Sequence, residues 1–192
     1  MALSNDIDYD FLLAEDVKTA GIQPKKRTRK VSSAMPLCKP SDLPELLPAG
    51  LRLLGLDLGS KTIGLAITDA GLRLASPISV INRRKFTQDM IELERIIRER
   101  EVGGIVLGLP LNMDGSEGPR TQATRDFAAE FLNRQDLPLT FWDERLSTAA
   151  VERAMIQADM SRKRRAAKID QAAAAYILQG MLDALPRQSL AP

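Results

Sequence analysis

Acidic residues stand at three places where the chain otherwise reads as buried regular structure. Asp57 closes the apolar run "LRLLGLDL", and Asp143 and Glu144 follow the apolar run "LPLTFW". Asp170 lies in a helical pattern whose i+3, i+4 and i+7 positions are all apolar, which places it toward the packed face. A carboxylate in such a position is costly unless it is paired or bound to a cation.

Taken singly, each acid has an ordinary structural explanation. Asp57 could cap a turn, Glu144 could pair with Arg145, and Asp170 could pair with Lys168. Taken together, carboxylates that converge repel one another unless a cation lies between them. Mg²⁺ or Mn²⁺ is the expected cation, since hard cations prefer oxygen ligands and Mg²⁺ commonly works with phosphate substrates. Two such ions about 4 Å apart support phosphodiester hydrolysis.

The composition agrees with carboxylate chemistry. The chain has 192 residues, of which 44% are hydrophobic and 27% charged, and it contains no histidine. Catalysis by Ser-His-Asp or Cys-His groups and His-ligated metal sites are therefore excluded within this chain. Its single cysteine, Cys38, permits neither an intrachain disulfide nor a thiolate zinc site.

Charge and hydropathy indicate the compartment and the partners. No apolar run approaches the roughly 20 residues that span a bilayer, and "MALSNDIDYD" lacks the pattern of a signal peptide, so we expect a cytoplasmic protein with no membrane association. The net charge is only +2, but "KKRTRK" (25–30) and "SRKRRAAK" (161–168) are basic clusters.

The elements that must position these acids follow from periodicity. "LRLLGLDL" and "TIGLAIT" predict two strands joined by a "GSK" hairpin, and "LASPISVI", "GGIVLGLP" and "LPLTFW" predict three more. Helical spacing appears in "TQDMIELERIIRER", in "TQATRDFAAEFLNR", in "TAAVERAMIQA" after an N-cap at Ser147, and over about 165–185. The order β-β-β-α-β-α-β-α-α predicts an α/β fold: a mixed five-stranded sheet, three antiparallel strands then parallel ones, with helices on both faces.

Composition also divides the chain. Residues 1–50 hold five prolines and no sustained period, so we expect a largely flexible N-terminal extension. Residues 51–186 form the predicted folded domain, and residues 187–192 are expected to be a flexible tail. The "KKRTRK" run is either a solvated tail or a weak contact with a phosphate backbone.

Four motifs resemble one known family. "GLDLGSKTIGLAITD", "GLPLNMDGSEGPRT", "DERLST" and "KIDQAAAAYIL", in this order over about residues 51–185, resemble the YqgF family, also called RuvX. The resemblance implies a ribonuclease H-like fold and a nuclease that matures the 5′ end of pre-16S ribosomal RNA; the family is also described as Holliday junction resolvases. It further implies catalysis by Asp57, Glu144 and Asp170, with Glu144 a stronger candidate than Asp143; metal binding would involve all four acids.

Basic and polar residues near these motifs are candidates for nucleic-acid contact. Each also has a plainer explanation: a solvent-exposed lysine, a turn shaped by glycine and proline in "LNMDGSEGPR", or a solvated loop before the last helix. A basic loop beside a carboxylate site would hold a polyanion across the metals. The candidates are Lys61, Asn112, Arg120, Arg145, Arg162, Lys163, Arg164 and Arg165.

Three other functions are compatible with the same residues. A junction resolvase would cut branched DNA symmetrically and is expected to act as a dimer, so the predicted state is a monomer or a homodimer. A non-catalytic RNA-binding module would use the same basic residues. "GLDLGSKTIG" also resembles the phosphate-binding hairpin of actin-like and sugar-kinase proteins, which bind nucleotide between two such domains, whereas this chain provides only one.

Overall fold

One mixed sheet organises the protein. The computed structural model describes residues 37–143, 145 and 162–185, with side chains described from residue 172 onward in the last range. The strands are β1 Arg52–Leu58, β2 Thr62–Thr68, β3 Ala75–Asn82, β4 Val102–Leu109 and β5 Leu139–Asp143. Among the described residues the helices are α1 Leu43–Leu46, α2 Phe86–Glu99, α3 Pro119–Leu132 and α4 Arg162–Ala184.

The strand order is β3-β2-β1-β4-β5, so β1 is the central strand. It pairs antiparallel with β2 and parallel with β4; β3 continues the antiparallel half and β5 the parallel half. The predicted five-stranded sheet, antiparallel and then parallel, is confirmed.

Helices cover both faces of this sheet, as predicted. Alternate residues of β1 enter two separate cores, because successive side chains of a strand point to opposite faces. On one face Leu54 and Leu56 lie in a core with the apolar residues of α2 and α3. On the other face Leu53 lies in a core with those of α1 and α4. Every residue of β4 is buried, which explains its continuous apolar sequence.

The β1–β2 hairpin turn is tight and well connected. The Gly59 N–H donates to the Asp57 carbonyl at 3.2 Å. A Cβ on Gly59 would lie 3.0 Å from the Thr62 carbonyl oxygen, so glycine allows the backbone to fold back closely. At the neighbouring strand end, the Arg83 N–H donates to the Lys61 carbonyl at 2.8 Å.

Part of the predicted extension packs onto the domain. Leu37 forms a parallel bridge with Leu139 of the edge strand β5, and the Cys38 N–H donates to the Leu139 carbonyl at 2.9 Å. Leu43 is fully buried against the sheet. The boundary placed at residue 50 is therefore too late, because Pro44, read as a breaker, sits in the first turn of α1, where proline is tolerated. Residues 1–36 and 187–192 lie outside the described residues.

The last helix also begins earlier than predicted. It starts at Arg162 instead of about 165, so Arg162, Lys163, Arg164 and Arg165 lie in its first turns and not in a loop. Arginine, lysine and alanine favour helix, and no glycine or proline interrupts the segment. The helix predicted after Ser147 lies outside the described residues. In the described part of the chain, no helix is long and apolar enough to cross a membrane.

Candidate active site

The carboxyl ends of three parallel strands meet at one edge of the sheet. Leu56 of β1 lies beside Leu107 of β4, which lies beside Phe141 of β5. Asp57 is one residue further along the central strand, and its side chain is half-buried. The rigid centre of the sheet therefore holds this carboxylate at the edge where ligands of open α/β sheets commonly bind.

Asp57 faces α4. Leu53 packs on the α4 side, and a Cβ on Gly55 would lie 2.8 Å from the Leu178 Cβ and 3.0 Å from the Ala174 carbonyl oxygen. Because alternate residues of a strand share a face, Asp57 continues this row. The first β-strand thus carries its acid on the surface that the last helix covers.

The register of α4 brings the backbone of Asp170 level with Asp57. Ala174 lies against Gly55, whereas Gln179 accepts from the Ala75 N–H at 2.9 Å, toward the opposite end of β1, so the helix runs antiparallel to that strand. Asp170 precedes Ala174 by four residues, about 6 Å along the helix. Asp57 follows Gly55 by two residues, about 6.6 Å along the strand. The backbones of the two predicted catalytic residues therefore lie at a similar height along β1.

Asp143 lies on the face of the sheet opposite Asp57, and its role as a metal ligand stays a prediction. Phe141 packs in the α2–α3 core and Trp142 in the α4 core, so alternation directs Asp143 to the α2–α3 face, opposite Asp57. Its fully buried carboxylate is held by Arg145, whose backbone N–H (2.9 Å), Nε (2.9 and 3.1 Å) and Nη2 (2.6 Å) all donate to it. A guanidinium already neutralises this charge.

Arg145 serves the structure of the site. In addition to holding Asp143, its Nη1 donates to the Met113 carbonyl at 3.4 Å, so it joins the end of β5 to the loop that follows β4. Of the two roles predicted for Arg145, contact with nucleic acid stays a prediction. Glu144, with which it was expected to interact, lies outside the described residues.

The loop of residues 110–118 is an internally bonded turn. The Asn112 side chain donates to the Ser116 hydroxyl at 2.9 Å, and the Gly115 N–H donates to the Asn112 carbonyl at 2.8 Å. Gly115 has a φ of 86°, which favours glycine. Hydrogen bonds from the Ser116 hydroxyl and then its N–H lower the pKa of Asp114. Asn112 therefore shapes this loop, and anion binding there stays a prediction.

The remaining predicted contacts lie in the hairpin turn and on the helices α3 and α4. Lys61 is exposed in the hairpin turn, and Arg120 is exposed in the first turn of α3. The basic residues 162–165 lie on α4, but their side chains fall outside the described part of the structure. Among the described side chains, no three acidic, cysteine or histidine residues lie close enough to hold a metal ion. The metal site that includes Glu144 and Asp170 stays a prediction.

Sequence reasoning missed Arg83. Its Nη1 donates to the Gly59 carbonyl at 2.7 Å, two residues beyond Asp57. Arg84 and Lys85 follow it, both exposed, at the same edge of the sheet. The signal was available in the run "NRRK" after β3, because an antiparallel β2–β3 pair returns the chain to the hairpin turn.

The strand order, the helices on both faces and the acid at the end of the central strand are those of the ribonuclease H-like class. Comparison with known proteins agrees. A family model described as "RuvX: Holliday junction resolvase" matches residues 51–184. The chain belongs to the RuvX family, a family of nucleases, and the predicted resemblance is confirmed.

Relatives show the same assignment at high identity. A Rhodospirillum rubrum protein named "Putative pre-16S rRNA nuclease" is 58% identical over 155 residues, covering 80% of this chain and 96% of that protein. A Cereibacter sphaeroides (strain ATCC 17025) protein of the same name is 60% identical over 139 residues, covering 72% and 87%. A solved Thermus thermophilus RuvC in complex with a Holliday junction substrate is 11% identical, with a TM-score of 0.43, covering 68% and 92%. That last likeness is too distant to bear on function.

Proposed function

We propose that this protein is a cytoplasmic, divalent-metal-dependent nuclease that processes the 5′ end of pre-16S rRNA during ribosome biogenesis. The observation that supports the proposal is the packing of α4 on β1 at Gly55, from which axial rise gives the backbones of Asp170 and Asp57 a similar height. The names of relatives at 58–60% identity support the choice of RNA substrate.

Asp57, Glu144 and Asp170 are the residues that would hold Mg²⁺ or Mn²⁺. The donor chemistry fits a hard cation, because these ligands are all carboxylate oxygens and the chain has no histidine. The one thiol is unsuited to metal binding, because burial and then the nearby Asp42 charge raise the pKa of Cys38 to about 12. When bound, the metal supplies an activated water and neutralises charge on the leaving oxygen.

The chain's own contribution is to hold these groups still. Asp57 is fixed by strand pairing on both sides of β1, and α4 is fixed against β1 by the contact at Gly55. Asp143 and Arg145 form a buried ion pair where β5 ends, immediately before and after Glu144. We infer that this pair fixes the end of β5.

The description of the family model favours a second candidate, a Holliday junction resolvase acting on branched DNA. Symmetric cutting of two strands would require two copies of the site, so this candidate predicts a homodimer. A monomer that cleaves RNA supports the first candidate.

Cleavage of a labelled RNA carrying the 16S precursor 5′ leader tests the proposal. The wild type is compared with Asp57→Asn, Glu144→Gln and Asp170→Asn in Mg²⁺, in Mn²⁺ and with chelator. The matched control is Glu130→Gln, which removes an exposed acid of α3. We expect metal-dependent cleavage that the three site variants lose and the control retains.

Three outcomes separate the candidates. Cleavage that survives in chelator, or in all three folded site variants, would refute the carboxylate–metal mechanism. Symmetric nicking of a four-way DNA junction without RNA cleavage would favour the resolvase. RNA binding without cleavage of either substrate would leave a non-catalytic binding module.

A further inference from the structure

Four exposed cations lie together where the antiparallel half of the sheet ends beside Asp57. Leu58 pairs with Ile63, and Thr62 pairs with Asn82, so the ends of β1 and β3 and the start of β2 lie at one edge. The residues that continue from these ends form what we call the basic rim: Lys61, Arg83, Arg84 and Lys85.

The fold does not need two of these side chains. Arg84 contributes its backbone N–H, which donates to the Asp89 carboxylate at 2.9 Å. Lys85 contributes its carbonyl, which accepts from the Gln88 and Asp89 N–H groups at 2.8 and 3.2 Å. The start of α2 is thus built from backbone groups and from the Asp89 side chain, and the charged ends of Arg84 and Lys85 extend into solvent.

The positions of Arg84 and Lys85 are electrostatically unfavourable. Arg84 and Lys85 immediately precede the first turn of α2, where the positive end of the helix dipole disfavours cations. Asp89 offsets part of this charge, but its carboxylate is buried. Within the described residues, none of Lys61, Arg84 and Lys85 takes part in an ion pair. An anion supplied from outside the chain would stabilise the rim.

Arg83 connects the rim to the candidate active site. Its guanidinium donates to the Gly59 carbonyl in the turn that follows Asp57, so a ligand on the rim lies against that turn. Several cations in a row, at the edge where a carboxylate site opens, suit a polyanion and not a single small anion.

We propose that the basic rim binds the phosphate backbone of the nucleic-acid strand that lies across the Asp57 site. This deepens the proposed function and rests on it: the rim holds the strand on the β3 side of β1. The contact is with phosphates, so it adds affinity without reading sequence.

Salt dependence of binding measures the number of phosphates that the rim contacts. The test uses the full chain, chelator to prevent cleavage, a labelled single-stranded RNA with the 16S precursor 5′ leader, and 50–300 mM KCl. The slope of log K against log[salt] is negative, and each lost contact lowers its magnitude, which is called the slope below, by about 0.7 for a single strand. Arg84→Gln/Lys85→Gln should therefore lower the slope by about 1.4 and weaken binding about 25-fold at 0.1 M salt.

Two further variants keep the test decisive. Lys61→Gln alone should lower the slope by about 0.7 and weaken binding about 5-fold at 0.1 M salt. The matched control, Arg98→Gln/Arg100→Gln, removes the same charge from exposed residues at the opposite end of α2 and should leave the slope unchanged. Circular dichroism and urea midpoints confirm that each variant is folded.

The outcomes separate this inference from the proposed function. Three results would overturn the proposed role of the rim. They are an unchanged slope in both rim variants, an equal fall in the control, and no salt-dependent binding of the wild type to RNA or junction DNA. RNA cleavage by the wild type together with an unchanged slope in the rim variants would support the proposed function and refute the role of the rim. A reduced slope in a protein that cleaves nothing would support the rim as a nucleic-acid surface while the nuclease fails. A reduced slope only on a four-way DNA junction would support it with branched DNA as the ligand.

Discussion

Gly55 is the point where β1 and α4 approach most closely, and we predict that Gly55→Ala separates them. The new Cβ would lie 2.8 Å from the Leu178 Cβ and 3.0 Å from the Ala174 carbonyl oxygen. Carbon atoms in ordinary contact are about 3.5–4.0 Å apart, so the helix must move by roughly 0.7–1.2 Å. Neither neighbouring atom can rotate away, since one is a Cβ and the other belongs to the backbone.

This displacement should affect both stability and cleavage. Overpacking a filled core typically costs about 1–3 kcal/mol, and we expect a loss of about 2 kcal/mol in the free energy of unfolding. Because β1 carries Asp57 and α4 carries Asp170, the same movement should lower the cleavage rate of folded enzyme by about 100-fold.

Urea unfolding and single-turnover cleavage of the precursor RNA measure these two effects. Gly118→Ala is the matched control, because its Cβ would lie 3.5 Å from the nearest atom of Asn112, an ordinary contact. It should cost less than about 1 kcal/mol, the loss of a glycine cap. If Gly55→Ala were within about 0.5 kcal/mol of the wild type, or milder than the control, α4 would not be seated on β1 as described.

Two further predictions concern buried groups. Arg145→Met should lower the free energy of unfolding by about 3 kcal/mol, because it leaves the buried Asp143 carboxylate without its guanidinium. Adding Asp143→Asn should recover part of that loss, as measured by urea unfolding. Additive losses would show that the two side chains do not interact. The raised pKa of Cys38, about 12 against an ordinary 9.0, predicts that its thiol resists Ellman's reagent at pH 8 until the protein unfolds. Because the pKa of Cys38 is higher in the folded than in the unfolded protein, its contribution to stability is present below pH 9 and is lost as the pH rises toward 12. Cys38→Ala should therefore flatten the fall in urea midpoint between about pH 9 and 11. Rapid reaction of the native thiol with Ellman's reagent would contradict a buried Cys38.

Elements whose burial pattern is local were predicted well. The structure places β2 on the same residues, 62–68, that the apolar run "TIGLAIT" and the flanking turn had indicated. The continuous apolar run "GGIVLGLP" predicted a strand, and all residues of β4 are buried. In such segments the spacing of apolar residues records which faces are covered, so neighbours elsewhere in the chain are not needed.

Other features depend on distant partners and were misjudged. The segment 37–47 is short and contains two prolines, so its sequence did not indicate packing. Leu37 and Leu43 are buried because of the edge strand β5 and the core beside it. The basic segment before Asp170 was expected to be a loop, although its residues favour helix and nothing interrupts it. Arg83 was overlooked because its importance comes from Gly59, a contact that exists only once β3 returns beside the hairpin turn.

The sequence alone determined the five strands, the mixed sheet and the family, and it predicts carboxylate chemistry. Tertiary structure decided on which face of the sheet each described acid lies. Asp57 and Asp143 both end strands at the same edge, yet alternation relative to the two cores places them on opposite faces, and Arg145 neutralises Asp143. The level of Asp170 against Asp57 is set by the contact of α4 with Gly55. Both outcomes depend on the register between elements distant in the chain, which local propensity does not specify.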